Sequence, residues 1–174
     1  SIGIFGPNGS GKSTFLRLMT GLIEPQSGRI SVNGHKVADM SSSGRGSVFT
    51  LITQSQQLLP LSVGENFLIW GISDETKAKK TLAEFDIEDK WEQRGDTLSA
   101  GEQKKVLLCI GMMRSRPCTI LDEPDNFLDS RSLNTYIKLI EGQDSVTRIY
   151  VTHDPEWLKL CDRQIDIMEV YTEN

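Results

Sequence analysis

Residues 2–14 read IGIFGPNGSGKST, in which a short apolar run leads into a glycine-rich turn, a lysine and two hydroxyl side chains. The segment 6–13 matches the phosphate-loop pattern G-x-x-x-x-G-K-[ST] and lies between a predicted strand and a predicted helix, as that pattern requires. Glycines let successive N–H groups point at phosphate oxygens, and the helix N terminus adds its positive dipole end. The stretch predicts a phosphate-binding loop formed by Gly6, Pro7, Asn8, Gly9, Ser10, Gly11, Lys12, Ser13 and Thr14.

Two residues of this loop have specific expected roles. Lys12 is expected to reach the β and γ phosphates of a nucleoside triphosphate, and the Ser13 hydroxyl is expected to bind Mg²⁺. The alternative is a glycine-rich strand-to-helix turn that binds nothing. The strand and helix signals on either side of the loop favour phosphate binding.

Apolar runs and helix-like segments alternate along the chain. Runs rich in Ile, Val, Leu, Phe and Thr predict buried strands at 2–5, 48–53, 119–121 and 149–152. The helix-like segments cover 12–21, 101–114 and 130–140. This alternation predicts an α/β fold in which a mostly parallel sheet is flanked by helices.

Three segments depart from the alternation. Residues 29–32 predict an exposed strand closed by the Asn33-Gly34 turn, and the small residues at 41–47 predict a surface loop. The stretch 56–97 predicts a small helical insert, in which residues 73–75 supply a cap and first-turn acids for a helix.

Composition narrows the class of protein. The net charge is −5, from 24 acidic and 19 basic side chains, whereas a general nucleic-acid surface needs clustered Lys and Arg, so we expect no nucleic-acid partner. The 3 cysteines are odd in number and far apart, which favours neither a disulfide framework nor a paired-cysteine metal site and fits a reducing compartment. The longest apolar tract, near 106–113, is far shorter than the ~18 residues that span a bilayer.

An acidic pair follows the predicted strand 119–121. A carboxylate at the end of the strand beside the phosphate loop can hold Mg²⁺, usually through water, and this is the role expected of Asp122. Glu123 is expected to point to the other side of the strand end and to orient or deprotonate an attacking water. Two acids after a strand more often belong to a solvated loop, but the phosphate loop upstream favours catalysis.

The stretch LSAGE at 98–102 resembles the signature motif of ATP-binding-cassette (ABC) ATPases, and it precedes Asp122 as in that family. The resemblance covers nearly the whole chain, because Gln54 matches the Q-loop glutamine, Asp129 the D-loop aspartate and His153 the switch histidine. It implies catalytic roles for Glu123, His153 and Gln54, with His153 sensing the γ-phosphate. It also implies that ATP is the nucleotide and that Mg²⁺ is held by Ser13, Gln54 and Asp122.

The resemblance further implies one ABC ATPase domain over 1–174, with a RecA-like phosphate-loop NTPase core at 1–55 and 99–174 and a helical subdomain at 56–98. Two cassettes pack head to tail in the family, so Ser99 and Gly101 would contact the γ-phosphate held by the other cassette. The resemblance also implies that Asp129 is a nucleotide-binding residue. Family members also carry an N-terminal β-subdomain with an adenine-stacking aromatic residue. We expect this chain to begin too late to include it.

Two residues of the signature differ from the usual family pattern. Ala100 replaces one of the two usual glycines, and Glu102 replaces glutamine. Both are variants that the family tolerates. Glu102 nevertheless introduces a negative charge near a phosphate site.

The resemblance implies the ATP-hydrolysing motor of an ABC transporter, which would dimerise with an identical or different cassette. Residues 58–66 resemble the segment that meets the membrane permease, and 161–163 resemble the tail of transporter cassettes. The cassette would then lie peripherally on the cytoplasmic side of the membrane. The alternative for the apolar residues at 58–63 is core packing of the helical insert.

The alternative is a soluble ABC ATPase acting on ribosomes or other assemblies, which 126–129 and Glu102 also resemble. A degenerate cassette that binds ATP without cleaving it is a third interpretation, and the presence of Glu123 and His153 argues against it.

Overall fold

The computed structural model describes residues 1–126, 128–143 and 145–172. Contacts divide the chain into two compact units. The first, called the sheet unit, contains Ser1–Leu51, Arg116–Glu123 and the described residues from Thr147 onward. The second, called the helical unit, contains Ile52–Ser115 and the described residues of Pro124–Val146.

The strands in the described residues are short. They are β1 Ile2–Phe5, β2 Ser31–Val32, β3 His35–Lys36, β4 Phe49–Ile52, β5 Cys118–Asp122, β6 Thr147–Val151 and β7 Arg163–Asp166. Five of them form one sheet in the order β4-β5-β6-β1-β7, and β2 pairs with β3 in a separate antiparallel hairpin.

The helices in the described residues range from single turns to fourteen residues. They are α1 Lys12–Met19, α2 Ser42–Val48, α3 Val63–Ile69, α4 Glu75–Ala83, α5 Ala100–Met113, α6 Ser130–Ile140, α7 Pro155–Leu158 and α8 Ile167–Thr172. Of these, none combines the length and the apolar character that crossing a bilayer demands.

Parallel pairing fixes the edge of the sheet at which the polar residues lie. β1 pairs in parallel with β6 and β7, and β6 pairs in parallel with β5. In this register Val151 lies opposite both Ile4 and Asp122. The carboxyl ends of β1, β5 and β6 therefore meet at one edge, where ligands bind in open α/β sheets. The predicted parallel α/β sheet is confirmed.

The core of the sheet unit is built from strand residues and from the inner face of α1. Ile120 and Val151 are fully buried, and Ile4, Leu16 and Phe49 pack in the same cluster. Every residue of β5 is buried, as expected for a strand covered on both faces of a parallel sheet. An uninterrupted apolar run therefore predicts β5 better than alternation would.

The helical unit has a core of its own around an aromatic pair. The rings of Phe67 and Trp91 have centroids 5.6 Å apart. Gly64 allows this packing, since a Cβ there would lie 2.7 Å from the indole of Trp91. Ala78 and Leu82 of α4 are fully buried in this unit.

Most of the elements expected from sequence are present. α6 has the predicted bounds. α4 begins after Asp74, whose side chain accepts a hydrogen bond from the Lys77 N–H. The Asn33-Gly34 turn closes the β2–β3 hairpin with φ values of 50° and 82°. The strand expected at 29–32 is shorter, covering Ser31–Val32.

The prediction of a surface loop at 41–47 is wrong, because this stretch forms α2. Ser41 caps the helix by accepting a hydrogen bond from the Gly44 N–H, at 3.1 Å. Arg45 donates to the carbonyl of Met40, at 2.7 Å. Cap and side-chain contacts thus outweigh the low helix propensity of a segment rich in Ser and Gly.

β7 was not predicted from the sequence. Its residues Arg163–Asp166 include one apolar side chain, Ile165, and the strand lies at the edge of the sheet. An edge strand needs little apolar surface, so its period-2 pattern is weak.

The three cysteines are free thiols. Burial raises the pKa of Cys118 to about 11 and raises that of Cys109 further. Both therefore act as small apolar core residues.

The fully buried position of Ile120 gives a test of the sheet core. Ile120→Ala is expected to lower the free energy of unfolding by about 2–5 kcal/mol, because it removes buried methyl groups and leaves a cavity. Leu68→Ala, whose parent side chain is 60% exposed, is the control and should change it by less than ~0.5 kcal/mol. Urea denaturation measures both, and similar losses for the two variants would contradict this packing.

Candidate functional site

The loop between β1 and α1 depends on glycine at three positions. Gly6, Gly9 and Gly11 have φ values of 146°, 80° and 90°, which favour glycine. A Cβ on Gly6 would lie 2.7 Å from Ile167 Cγ2, whereas one on Gly9 would meet no atom within 4 Å. Gly6 is therefore constrained by packing as well as by backbone conformation, while Gly9 faces open space.

Lys12 folds back over the loop that precedes it. Its Nζ donates to the carbonyl of Gly6 at 2.7 Å and to that of Pro7 at 3.0 Å, and the residue is 7% exposed. An ammonium group has three protons, and two are accounted for by these carbonyls. The positive charge is thus fixed inside the loop.

The N terminus of α1 differs from those of the helices α2–α7. Its N-cap is Gly11, and no side chain caps it. Each of α2–α7 begins with a side chain that accepts a backbone N–H; these caps are Ser41, Ser62, Asp74, Ser99, Asp129 and Asp154. The first-turn N–H groups of a helix have no intrahelical acceptor. At α1 they lie beside the Lys12 charge, which is the arrangement that suits a phosphate group.

One buried side-chain oxygen of the loop has no hydrogen-bond partner among the described residues. This atom is the Ser10 Oγ. Leaving a buried hydroxyl unpaired costs about 1–3 kcal/mol. A bound anion would give this hydroxyl an acceptor.

Ser13 and Asp122 meet across the edge of the sheet. The Ser13 Oγ lies 3.4 Å from Asp122 Oδ2. Asp122 is buried at the end of β5, whereas Ser13 is exposed at the start of α1. Hydroxyl and carboxylate oxygens are ligands that Mg²⁺ prefers. This donor pair fits a magnesium ion bound beside the phosphate loop.

Glu123 has an unusual backbone conformation. Its φ is 48°, in the left-handed region, and its N–H donates to the Val151 carbonyl at 2.7 Å. A non-glycine residue there costs about 1–2 kcal/mol. Such strain is concentrated at functional sites.

His153 follows the end of β6 in a short, ordered turn. The Thr152 N–H donates to the Ile4 carbonyl at 3.1 Å, which joins this turn to the end of β1. Asp154 donates its N–H to Thr152 Oγ1 and caps α7 by accepting from the Glu156 N–H. His153 itself is exposed. The sheet unit thus brings the loop 6–14, Asp122, Glu123 and His153 to one edge.

The remaining predicted site residues lie in the helical unit. Gln54 is exposed, and residues 54–57 line a cavity of about 130 Å³ with Ala100, Gln103, Lys104 and Leu107 of α5. Asp129 caps α6 by accepting from the Ser132 N–H at 2.7 Å, and hydrogen bonds from Ser132 lower the pKa of its carboxyl group. Phe127 in the same predicted segment lies outside the described residues.

Ser99 and Glu102 form a capping box at the start of α5. The Ser99 N–H donates to Glu102 Oε2 at 2.9 Å, and the Glu102 N–H donates to Ser99 Oγ at 3.3 Å. Gly101 lies in the first turn of the same helix. Hydrogen bonds from Ser99, followed by the charge of Lys90, lower the pKa of Glu102.

Sequence reasoning missed Lys90. Its Nζ lies 3.7 Å from Glu102 Oε1 and 3.3 Å from Asp89 Oδ2. No motif contains this lysine. Only the fold of the helical unit brings it to the signature segment.

Comparison with known proteins identifies similar sequences and folds. The family model described as ABC transporter matches residues 1–126. The chain is 33% identical over 162 residues to the Fe(3+) ions import ATP-binding protein FbpC of Escherichia coli O157:H7, covering 87% of this chain and 46% of FbpC. It is 35% identical over 170 residues to the Biotin transport ATP-binding protein BioM of Rhizobium etli, covering 93% of this chain and 75% of BioM. The chain thus spans about half the length of FbpC.

Solved structures show the same fold. One of them is an ATP-binding cassette in a dimeric, post-hydrolysis state bound to ADP and Pi. It aligns with a TM-score of 0.82 at 25% identity and covers 95% of this chain and 79% of that chain.

The left-handed backbone of Glu123 predicts a difference between two variants. Glu123→Gly is expected to be more stable than Glu123→Ala by about 1 kcal/mol, because glycine adopts a positive φ without steric cost. Part of that gain is offset by the larger entropy of glycine in the unfolded chain. Urea denaturation of both variants measures the difference, and an alanine variant at least as stable as the glycine variant would refute the conformation described.

Proposed function

This chain belongs to the ABC transporter family, and from that membership we propose that it is an ATP-binding and ATP-hydrolysing cassette that drives a membrane transporter. One observation carries the proposal most directly. The uncapped start of α1, the folded-back Lys12 and the Ser13–Asp122 pair lie together at the carboxyl edge of the parallel sheet.

ATP binding depends on the loop 6–14. Its backbone N–H groups and the Lys12 ammonium hold the β and γ phosphates, and the Ser10 hydroxyl donates to a phosphate oxygen. Ser13 and Asp122 would hold Mg²⁺. The ion neutralises phosphate charge.

Hydrolysis depends on Glu123 and His153. The Glu123 carboxylate accepts a proton from, or orients, the water that attacks the γ-phosphate. His153 donates a hydrogen bond to that phosphate. The ordered turn formed by Thr152 and Asp154 supports this role, because it leaves the histidine exposed at the correct edge.

The complete site requires a second cassette. Ser99 and Gly101 at the start of α5 contact the γ-phosphate held by that cassette, and Asp129 lies in the same interface. The solved ADP- and Pi-bound cassette is a dimer, which supports this arrangement. The second cassette is identical to this one or different from it.

Transport requires permease contacts. FbpC and BioM are named as import and transport ATP-binding proteins, which supports a role in transport. The cassette would then lie peripherally on the cytoplasmic side of a membrane. Leu59, Leu68 and Ile69 are exposed apolar side chains in or next to the segment 58–66 and suit such a contact. The predicted alternative, action on ribosomes, has no comparable support among these relatives.

The role of Lys12 is tested by nucleotide affinity. In the full-length protein, Lys12→Ala is expected to weaken MgATP binding by about tenfold to a hundredfold, since it removes a charged hydrogen bond to phosphate. Calorimetry measures affinity, and circular dichroism confirms folding. Lys36→Ala, which removes an exposed lysine on β3, is the control and should bind like the parent. Unchanged affinity in Lys12→Ala would refute the assigned role.

The role of Glu123 is tested by separating binding from turnover. Glu123→Gln is expected to lower kcat by about a hundredfold or more while leaving ATP affinity near that of the parent, because it removes the base and keeps the phosphate contacts. Light scattering should then detect an ATP-bound dimer. Glu92→Gln, which neutralises an exposed carboxylate in the helical unit, should hydrolyse ATP normally. Monomers alone in saturating ATP would contradict the shared site.

A further inference from the structure

The starts of α3 and α5 both carry a capping box. In α3, Ser62 and Glu65 exchange two hydrogen bonds that involve backbone N–H groups, and backbone and side-chain hydrogen bonds from Ser62 lower the pKa of Glu65. In α5, the same two bonds form, and the Ser99 Oγ also donates to Glu102 Oε2 at 2.7 Å. A serine hydroxyl has one proton. The Ser99 proton is therefore committed to Glu102.

This commitment conflicts with the proposed task of Ser99. To donate to a γ-phosphate, the hydroxyl must leave Glu102, and the bond to be broken is charge-assisted and so about twice as strong as a neutral one. Glu102 also places a negative charge near the approaching phosphate, and like charges repel. A cassette with this capping box resists docking of the partner cassette's nucleotide unless the Glu102 carboxylate has another partner.

Lys90 is positioned to be that partner. Its Nζ is 3.7 Å from Glu102 Oε1, the oxygen that Ser99 does not use, and the side chain is 28% exposed. The distance is too long for a good hydrogen bond but suits an ion pair. A small movement of the carboxylate toward Lys90 would shorten this contact and free the Ser99 hydroxyl.

We propose that Glu102 and Lys90 are positioning residues that control access of the partner cassette's nucleotide to Ser99. In the separate cassette, Glu102 holds the Ser99 hydroxyl. On docking, the carboxylate shifts to Lys90, and the hydroxyl turns to the terminal phosphate. This inference rests on the proposed cassette dimer, and it adds a residue that no signature motif contains.

The test measures ATP-dependent dimerisation in the full-length protein by analytical ultracentrifugation. All variants carry Glu123→Gln, so that ATP is retained. Adding Glu102→Gln is expected to tighten the dimer about tenfold, because a neutral amide holds Ser99 less strongly and does not repel phosphate. Adding Lys90→Met is expected to weaken the dimer severalfold, and Lys90→Arg should retain the parent's affinity.

Two controls separate a positioning role of Lys90 and Glu102 from general effects of changing a charge. The double change Lys90→Met with Glu102→Gln should dimerise like Glu102→Gln alone, since Lys90 plays no part in freeing Ser99 once the Glu102 carboxylate is gone. Asp74→Asn removes a charge from the N-cap of α4 but keeps a good cap, and it should leave dimerisation unchanged. A merely structural role of Lys90 would predict the same loss in both backgrounds.

The outcomes distinguish this inference from the proposed function. If the reference protein neither binds ATP nor dimerises, the proposed function fails. If it does both, but Glu102→Gln weakens the dimer or matches Asp74→Asn, the inference alone is overturned. The same holds if Lys90→Met is equally harmful with and without the Glu102 carboxylate. Nucleotide affinity of the monomeric fraction, measured with a fluorescent ATP analogue, should be equal in all variants.

Discussion

The parallel register of β1, β5 and β6 is the constraint on which the candidate site depends. Because Val151 lies opposite both Ile4 and Asp122, the ends of these strands coincide. At this edge, each of the three strands is followed by a different chemical group. A shift of one residue in either pairing would turn the strand's buried side chains to the opposite face. Packing of the apolar core thus also fixes the positions of the polar groups at the strand ends.

The signals for the candidate residues of the sheet unit are local, so the sequence alone places these residues at the ends of its strands. A glycine-rich turn, a lysine and a buried strand ending in acids can each be recognised without knowing the fold. α2 and β7 were harder to predict. The low helix propensity of Ser and Gly outweighed the cap at Ser41 in the sequence interpretation, whereas β7 has little apolar pattern of its own and depends on pairing with β1. Lys90 could not be predicted at all, because its relation to Glu102 exists only after the helical unit has folded.

The start of α5 illustrates how a helix cap and a ligand site compete for the same atoms. A capping box satisfies N–H groups and stabilises the helix, but it uses the hydroxyl that a phosphate would need. Glutamine in place of Glu102 would weaken that competition. The substitution noted in the signature therefore has a physical consequence beyond its charge, since it changes how firmly Ser99 is held.

The start of α1 differs from that of α5, because no side chain among the described residues caps its first turn. A bound anion supplies the missing acceptor, so occupancy of the loop and stability of the helix are thermodynamically linked. A ligand that binds only the folded state stabilises it by about 2.7 kcal/mol at a hundred times its Kd. A triphosphate present well above its Kd would then act as a structural component of the domain, and protein stripped of nucleotide would be measurably more fragile.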